Sequence, residues 1–437
     1  MGSNAITTII GEHLLIRNGK SSPSRAITGE YPVYGSNGII GYSDEYNANE
    51  NTIIIGRVGP YCGSVYISGK KCWVTDNAII GTAKNENESH FWFYLLKKID
   101  LNNYSTGSGQ PLINQTIINT ISVTIPKLSE KRVSIGHFLR HFDQKINLSL
   151  NINQSLEQMS QTLFKSWFVD FDPVIDNALD AGNPIPEALQ TRAKLRQKVR
   201  NSADFKPLPA EIRSLFPSEF EETELGWVPK GWNISLAGEE FIVKGGSTPS
   251  TAHEDFWING TIHWTSPKDL TGNQSKVLLD TAKKITPLGL TKISSGLLPV
   301  NTVLMSSRAP IGYLAISKVP MAINQGYIAI PSAKHLSPEY TIYWLDNIMD
   351  DIKGMAGGTT FAEISKSAFK TIKLLIPSSD IITEFSRITR NHFDMVVQNT
   401  KEIDSLTNLR DTLLPKLISG ELSLEDLPDL STDTEAA

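Results

Sequence analysis

The chain repeats one order of sequence features over about 250 residues, and this duplication restricts the possible folds more than any other feature. Residues 51–55 (Asn-Thr-Ile-Ile-Ile) resemble residues 301–305 (Asn-Thr-Val-Leu-Met), and Gly59-Pro60 matches Ala309-Pro310 at the same spacing of 250 positions. A period of this length is far too long for a solenoid of short stacked repeats. It indicates a duplicated domain.

The correspondence continues beyond these strands. The matched elements are Asp76-Asn77 with Asn324-Gln325, the glycine-rich loop 106–113 with the loop 356–364, and the strand ending at Pro126 with the strand ending at Pro377. Each half therefore has the order strand, turn, strand, glycine-rich loop and a strand that ends in proline. This order predicts that each half contains a small domain with its own sheet.

After each terminal strand the pattern changes to that of a long helix. Residues 130–168 and 380–414 contain no proline, and the first run would be about 58 Å long at about 1.5 Å per residue. Apolar residues recur mostly at spacings of three and four, as in amphipathic helices. The predicted seams are Ile135, Phe138, Phe142, Ile152, Leu156, Met159 and Leu163, with Lys145 and Ser149 as polar interruptions, and Phe385, Ile388, Val396, Ile403, Leu406, Leu409 and Leu413.

Helices of this length have one apolar stripe each, and each stripe needs a partner. The simplest partner is the other helix, and an antiparallel pairing would place one domain at each end of a dumbbell with a pseudo-two-fold axis. The alternative is that each helix packs on its own domain. A connector between the halves contains several prolines and a basic helical stretch, Arg192 to Arg200, and is predicted to act as a tether.

Composition excludes several classes of protein. The 437 residues include two cysteines, Cys62 and Cys72, and contain no apolar run approaching the roughly 20 residues of a membrane span. With no basic and apolar leader after Met1, the cytoplasm is the expected location. The net charge of -5 argues mildly against a general nucleic-acid binder. Charge is uneven, however, because residues 244–318 contain eight Lys and Arg and four Asp and Glu.

Four stretches, in this order and on top of the duplication, resemble the specificity subunits of Type I restriction-modification systems. Residues 161–173 (Gln-Thr-Leu-Phe-Lys-Ser-Trp-Phe-Val-Asp-Phe-Asp-Pro) resemble the end of that family's central conserved helix. Residues 224–232 resemble the usual entry to a second target recognition domain, and residues 263–270 an early motif within it. Residues 413–422 resemble the distal end of the second helix. The first half has no clear counterpart of Trp264 to Leu270, and its start at Met1 is abrupt.

The resemblance implies an α+β fold in which two duplicated α/β target recognition domains are joined by two long antiparallel helices. The implied boundaries are a first recognition domain at 1–127, a central conserved helical region at 128–170, a connector at 171–220, a second recognition domain at 221–378, a distal conserved helical region at 379–420 and an acidic tail at 421–437. Each domain would read one half of a split, asymmetric DNA site. Half-sites one duplex turn apart lie about 34–36 Å apart, a distance that a helical spacer can set.

The resemblance also implies partners and the absence of catalysis. The expected partners are double-stranded DNA, two methyltransferase subunits and, in the full complex, two restriction subunits. S-adenosylmethionine, ATP and Mg²⁺ are expected on those partner subunits and not on this chain. The residues agree, because no P-loop or dinucleotide-binding glycine motif occurs. His137 and His141 share a helix face, but no third ligand for a metal stands nearby in the sequence.

Candidate DNA contacts are residues in loops where strands end and where donors suited to bases or phosphates stand beside glycines. In the first half they are Lys20, Ser21, Arg25, Arg57, Lys70, Lys71, Ser108, Gln110 and Asn114. In the second half they are Lys244, Thr248, Ser250, Ser266, Lys268, Arg308, Gln325, Thr359 and Thr360. Each of these residues could equally be part of an ordinary turn. Two other functions remain open from the residues: the recognition portion of a self-sufficient restriction-methylation enzyme, and a two-domain adaptor that does not bind DNA.

Overall fold

The computed structural model of the chain describes residues 5–107, 109–273, 275–357 and 362–427. The chain divides into two compact units, one formed by Met1–Leu148 with Glu402–Ala437 and the other by Ser149–Lys401. Both divisions fall within long helices, so each unit contains a part of both. The boundaries proposed for the recognition domains and the connector follow function, and they stay predictions.

The first unit contains three small sheets. Its elements are β1 (Ala5–Ile9), α1 (Ile10–His13), β2 (Leu14–Asn18), β3 (Tyr31–Gly35), β4 (Gly38–Ser43), β5 (Ile53–Gly56), β6 (Val65–Ile67), β7 (Trp73–Val74), β8 (Ala78–Ala83), α2 (Ser89–Ile99), α3 (Gln115–Thr120), β9 (Ser122–Pro126) and the start of α4 (Ser129–Phe164). The strand orders are β2-β8-β5-β6, β4-β3-β7 and β1-β9. The core lies between the four-stranded sheet, α2 and the long helices, where Ile53, Phe91, Trp92 and Leu417 are almost completely buried.

The second unit begins within α4 and repeats this plan with additions. Its elements are α5 (Asp172–Ala181), α6 (Gln190–Arg200), α7 (Ala210–Arg213), β10 (Phe220–Thr223), β11 (Gly226–Pro229), β12 (Asn233–Leu236), α8 (Ala237–Glu240), β13 (Phe241–Lys244), β14 (Ile262–Thr265), β15 (Val277–Leu278), β16 (Lys283–Ile285), α9 (Pro287–Leu290), β17 (Val303–Ser306), β18 (Leu314–Ser317), β19 (Met321–Ile323), β20 (Tyr327–Ala333), α10 (Pro338–Asn347), α11 (Met349–Gly354), α12 (Lys366–Lys370), β21 (Lys373–Ile376) and the start of α13 (Ser379–Ser419).

The strand orders of the two units correspond. The second unit has β13-β20-β17-β18-β15, β16-β14-β19 and β12-β21, so β15 is an extra strand on the edge of the largest sheet. Its core contains Trp167, Val303, Phe369 and Phe385, which are all at most 1% exposed. The predicted duplication is therefore present as a duplicated topology, and the predicted α+β fold with two long helices is confirmed.

The structure adds one detail to the predicted correspondence and corrects another. Although the first half has no clear sequence counterpart of the motif from Trp264 to Leu270, the first unit has a topological counterpart of its strand, because β3 pairs with β4 and β7 as β14 pairs with β16 and β19. The polar turns are also shifted by one residue. The amide of Arg57 donates to Asn77 and that of Ser307 to Gly326, so Asp76 corresponds to Gln325.

The segment predicted to act as a tether is folded as a pair of helices held by ion pairs. Asp172 and Asp176 of α5 accept paired hydrogen bonds from Arg192 and Arg196 of α6 at 2.6–2.9 Å. Arg200 donates a single side-chain bond to Asp180 farther along the helix. The three arginines of the stretch are therefore paired with carboxylates, whereas Lys194 and Lys198 are exposed.

The second long helix extends beyond its predicted end, whereas the first is α-helical only to Phe164. Pro415 lies inside α13, and the helix ends at Ser419. The next residue, Gly420, has a positive φ of 75°, which suits a residue without a side chain. The residues after Phe164 continue as one π-helical turn that buries Trp167 and Phe168. This turn lies in the stretch 161–173 that carried the family resemblance. Its aromatic residues are part of the second unit's core.

Within each unit, α4 and α13 run antiparallel. In the first unit Asp143 contacts Arg410 and Lys145 pairs with Glu402 at 2.6 Å, and in the second unit Asn399 donates to Asn153 at 2.8 Å. The same helices also pack on the domain cores, through Leu139 in one unit and Phe385 in the other. Helix pairing and packing on the domain, treated as alternatives from the sequence, therefore both occur.

The predicted helix seams were partly wrong. Ile152, Met159 and Leu409 are exposed, whereas Ser149, Asn153 and Ser160 are buried. Ser160 lies 2.7 Å from Nδ1 of His392, so buried polar pairs replace part of the expected apolar contact in the second unit.

Candidate DNA interface

In the second unit, four loops meet at one end of the strands. The amide of Ser247 donates to Ile323, the amide of Asn324 donates to Thr265, and the amide of Ser307 donates to Gly326, at 2.8–3.1 Å. These bonds join residues 246–250, 266–268, 307–310 and 324–326, which we call the second-unit loop cluster. The glycine-rich loop is attached to it, because the amide of Ile364 donates to Ser307.

The first unit has an equivalent arrangement. The amide of Lys20 donates to Val74, the amide of Thr75 donates to Tyr34, and the amide of Arg57 donates to Asn77, at 2.9–3.0 Å. We call residues 19–21, 36–37, 57–60 and 75–77 the first-unit loop cluster. Its glycine-rich loop is attached through the amide of Ile113, which donates to Arg57.

Glycine is required where the first loop of each cluster crosses its neighbour. A Cβ on Gly19 would lie 2.0 Å from the carbonyl oxygen of Thr75, and a Cβ on Gly246 would lie 1.8 Å from that of Ile323. No side chain fits at such distances, so the backbones can approach this closely only because both residues are glycine. The two glycines therefore fix the same loop geometry in both units.

Equivalent positions of the two clusters carry different side chains. The shared backbone bonds match Lys20 with Ser247, Arg57 with Ser307 and Asp76 with Gln325. Asp76 and Gln325 are both exposed. A carboxylate accepts from cytosine in the major groove, whereas an amide suits adenine, so the two clusters differ in the groups that distinguish bases.

Among the predicted residues of the first unit, three lie in the cluster. Lys20 and Ser21 are exposed, and Arg57 is half-buried with Nη1 donating to the carbonyl of Asp76 at 3.3 Å. Nε of Arg57 is buried and has no hydrogen-bond partner among the described residues. Arg25 is exposed beside Gly41 of β4.

The remaining first-unit candidates lie elsewhere. Lys70 donates to the carbonyl of Glu30 and Lys71 to the hydroxyl of Tyr46, at the opposite end of β3 and β7 from the cluster. Gln110 is exposed in the attached glycine-rich loop. Asn114 caps α3 by accepting from the amide of Ile117 at 2.9 Å, so its side-chain oxygen has a structural role. Ser108 lies outside the described residues.

In the second unit the structure brings six predicted residues together in the cluster. Thr248 donates to the side-chain oxygen of Gln325 at 2.8 Å, and Ser250 and Lys268 are exposed. Ser266 takes part in a capping box with Asp269. Arg308 is also in the cluster, and the nearest carboxylate is that of Glu363 at 3.6 Å.

Three other second-unit predictions fall outside the cluster. Lys244 is exposed at the end of β13, before the cluster begins. Thr359 and Thr360 lie outside the described residues, so their prediction stays untested.

The first-unit loop cluster also contains four residues that were not predicted as DNA contacts: Ser36, Asn37, Asp76 and Asn77. Ser36 donates to the carbonyl of Asn77 at 2.5 Å and so ties the β3–β4 turn to the cluster. An Asn-Gly pair between two apolar runs is a strong hairpin signal, and Asn37-Gly38 could have placed this turn. Asp76 could have been found from the one-residue shift in the repeat.

The second-unit loop cluster rests on buried residues that include Tyr327 and Thr265. Tyr327 lies beneath the second-unit loop cluster, where burial raises the pKa of its phenol, and its hydroxyl is 3.1 Å from that of Thr265.

In the part of the chain that the structure describes, no group of three or more His, Cys, Asp or Glu residues is arranged to hold a metal ion. Within the same residues no helix is both long and apolar enough to cross a membrane.

Duplicated α/β domains that present matched loop clusters, each followed in the sequence by one long helix, define a class of two-domain proteins. Sequence comparison identifies the family. The Type I restriction modification DNA specificity domain matches residues 10–158 and 229–406, and the chain therefore belongs to this family.

Individual relatives agree with this assignment. The chain is 28% identical over 331 residues to the Type I restriction enzyme HindI specificity subunit of Haemophilus influenzae, which covers 71% of each protein. It is 32% identical over 193 residues to the Type I restriction enzyme MjaIX specificity subunit of Methanocaldococcus jannaschii, 44% of each. The crystal structure of the Type I restriction-modification S subunit from M. genitalium has the same fold, with a TM-score of 0.60 at 17% identity over 98% of this chain and 97% of that one.

Proposed function

We propose that this chain reads a bipartite, asymmetric DNA site, one half-site with each loop cluster, and directs partner subunits to it without catalysing a reaction itself. The observation that carries the proposal is that the two clusters share one backbone frame but carry different side chains at matched positions. A shared frame supports docking on the duplex in a similar way in both halves. Different side chains support the reading of different bases.

Within this proposal, Asp76 and Arg57 read one half-site and Gln325 and Lys268 the other. Lys20, Ser21, Arg25 and Gln110, and Thr248, Ser250, Ser266 and Arg308, position the DNA backbone or contribute further base contacts. Lys70 and Lys71 are less central, because they lie at the opposite end of β3 and β7 from the cluster. Lys244 precedes the second-unit loop cluster, and Asn114 serves a helix cap.

The partners proposed are two methyltransferase subunits, joined through exposed faces of α4 and α13, and two restriction subunits in the full complex. S-adenosylmethionine, ATP and Mg²⁺ belong to those subunits in this proposal. The exposed side chains of Met159 and Met395, on α4 and α13 in the second unit, support an apolar docking contact there.

The test is to map methylated bases in DNA from cells that express the chain with its methyltransferase. Gln325→Ala should relax the requirement for one base in one half-site only, and Asp76→Ala should relax one base in the other. Each good base contact contributes about 1–3 kcal/mol of discrimination, which is a change of roughly tenfold or more in preference. Lys127→Ala, an exposed change away from both clusters, is the control. Methylation patterns that change in neither half-site would refute the assignment of the clusters.

A further inference from the structure

The first unit has an open groove where the second unit is filled by its own chain. The groove is lined by the outer edge of β6, by α2 and by the long helices, and its volume is about 1110 Å³. The corresponding place in the second unit is a cavity of about 10 Å³ lined by Ser275, Lys276 and Tyr343. The two places correspond in the repeat. Tyr94 and Ile146 line the groove, and Tyr343 and Val396, which lie 249 and 250 positions later in the sequence, line the cavity.

The difference is caused by β15. In the second unit this strand runs parallel to β18, where the amide of Ile316 donates to the carbonyl of Lys276 and the amide of Lys318 donates to that of Leu278. In the first unit β6 takes the place of β18 and is an edge strand within the described residues. The amides that match those of Ile316 and Lys318 belong to Ile67 and Gly69, which both line the groove.

The charges around this place are different in the two units. In the second unit Nζ of Lys276 lies 3.3 Å from Glu157 and 3.4 Å from Asp346. In the first unit Thr407 stands at the position that matches Glu157, and Lys97 at the position that matches Asp346. Lys97 lies three residues after Tyr94, just as Asp346 lies three residues after Tyr343. Two carboxylates are therefore replaced by a hydroxyl and an exposed cation.

Of the two carboxylates that line the groove, that of Asp143 is paired with a cation, whereas that of Asp100 is exposed and accepts only from Asn103 among the described residues. Asp143 accepts from Tyr94 and from Arg410, and Asp100 lies at the end of α2. Arg140 makes no ion pair with any residue in the described ranges. A segment seated here as β15 is seated in the second unit would meet cations where Lys276 meets carboxylates.

We propose that the first-unit groove binds an extended segment of a partner protein, which adds to β6 as a parallel strand and carries a carboxylate followed by apolar residues. Its backbone carbonyls accept from the amides of Ile67 and Gly69, and its carboxylate pairs with Lys97. When a peptide adds to a sheet edge in this way, its backbone hydrogen bonds provide the affinity, and every second side chain, facing the protein, provides the specificity. The proposal goes beyond DNA reading, because the occupant is a protein segment, although the groove adjoins the first-unit loop cluster at Asn37 and Pro60.

The probe is a dye-labelled peptide with the sequence of residues 273–280 (Asn-Gln-Ser-Lys-Val-Leu-Leu-Asp) that contains Lys276→Glu, and the control is the unchanged peptide. Fluorescence anisotropy with the full chain should give a Kd at least tenfold lower for the substituted peptide. Lys97→Glu in the chain should reverse this preference, whereas Lys127→Glu, which makes the same charge change away from the groove, should leave it intact. Equal binding of both peptides, or no effect of Lys97→Glu, would overturn the proposal.

Amide hydrogen exchange supplies a second, independent readout. Saturating peptide should slow exchange at Ile67 and Gly69, as expected when the edge of β6 becomes paired. If duplex DNA protects these amides and displaces the peptide, the groove is a nucleic-acid site and the proposal fails. If removal of residues 428–437 tightens peptide binding tenfold, the occupant is the chain's own acidic tail and the partner segment is refuted.

Discussion

Asp176→Ala should destabilise the second unit far more than Asp180→Ala, although both remove one carboxylate from the same row of ion pairs. The side chain of Asp176 is 7% exposed and accepts two bonds from Arg196, at 2.9 and 2.7 Å, whereas the side chain of Asp180 is 48% exposed. Breaking a buried pair costs about 3–5 kcal/mol because it leaves a buried charge without a partner. Exposed pairs contribute about 0–1 kcal/mol.

Arg196 keeps some contact with solvent, with 17% of its side chain exposed, so the lower end of that range applies. At about 3 kcal/mol, and about 2 °C per kcal/mol for a unit of this size, Asp176→Ala should lower the melting temperature of the second unit by about 6 °C. Asp180→Ala should lower it by about 2 °C or less. Scanning calorimetry of the full chain measures both.

A third variant separates charge burial from loss of packing. The double change Asp176→Leu with Arg196→Met removes both charges and should recover most of the lost stability, because apolar replacements of buried ion pairs are often neutral. Equal destabilisation by Asp176→Ala and Asp180→Ala, or a double variant as unstable as the single one, would refute the reasoning.

Three further predictions concern single sites. Gly246→Ala should weaken DNA binding at least tenfold in a gel-shift assay, because its Cβ would lie 1.8 Å from the carbonyl oxygen of Ile323. The far-UV circular dichroism spectrum should be retained, and unchanged DNA binding would contradict this prediction. Burial, with Arg140 nearby, lowers the pKa of His90 to about 4, so the first unit should lose stability as the pH falls from about 6.5 to 4, and His90→Gln should reduce that loss in urea titrations. Phe385→Ala removes a fully buried ring and should cost about 3–5 kcal/mol in urea unfolding, whereas Leu409→Ala, at 45% exposure, should cost less than about 1 kcal/mol.

The sign for His90 follows from its two protonation equilibria. The unfolded side chain takes up a proton near pH 6.5, whereas the folded one does so only near pH 4. Between these values the unfolded state binds more protons, so stability falls as the pH is lowered through this window. A His90→Gln variant with the same acid sensitivity as the unchanged chain would show that other groups cause the loss.

Sequence alone predicted the duplication, both long helices and most loops of the two clusters, because those features depend on local pattern. Apolar runs marked β5 and β17, and glycines marked the turns around them. It missed the equivalence of β3 and β14, since Tyr31–Gly35 and Ile262–Thr265 share no pattern of residue types. Only their pairing with neighbouring strands reveals that they are matched.

The helix seams show where periodicity fails. Ser160 and Asn153 are buried because each has a polar partner across the helix pair, and Ile152 and Met159 were assigned to the seam on hydrophobicity alone. The ion-pair row of the connector was open to prediction. Aspartates at 172, 176 and 180 and arginines at 192, 196 and 200 share a spacing of four, which places each set on one helix face.

The most direct test of the account exchanges one recognition domain. Residues 221–378 are replaced by the corresponding domain of another specificity subunit, the chimera is expressed with the methyltransferase, and methylated sites are mapped across the host DNA. We expect a split methylated motif that disappears without this chain and that changes in one half-site only in the chimera. Methylation that persists unchanged without the chain, or a chimera that alters both half-sites, would refute the proposal that each domain reads one half-site.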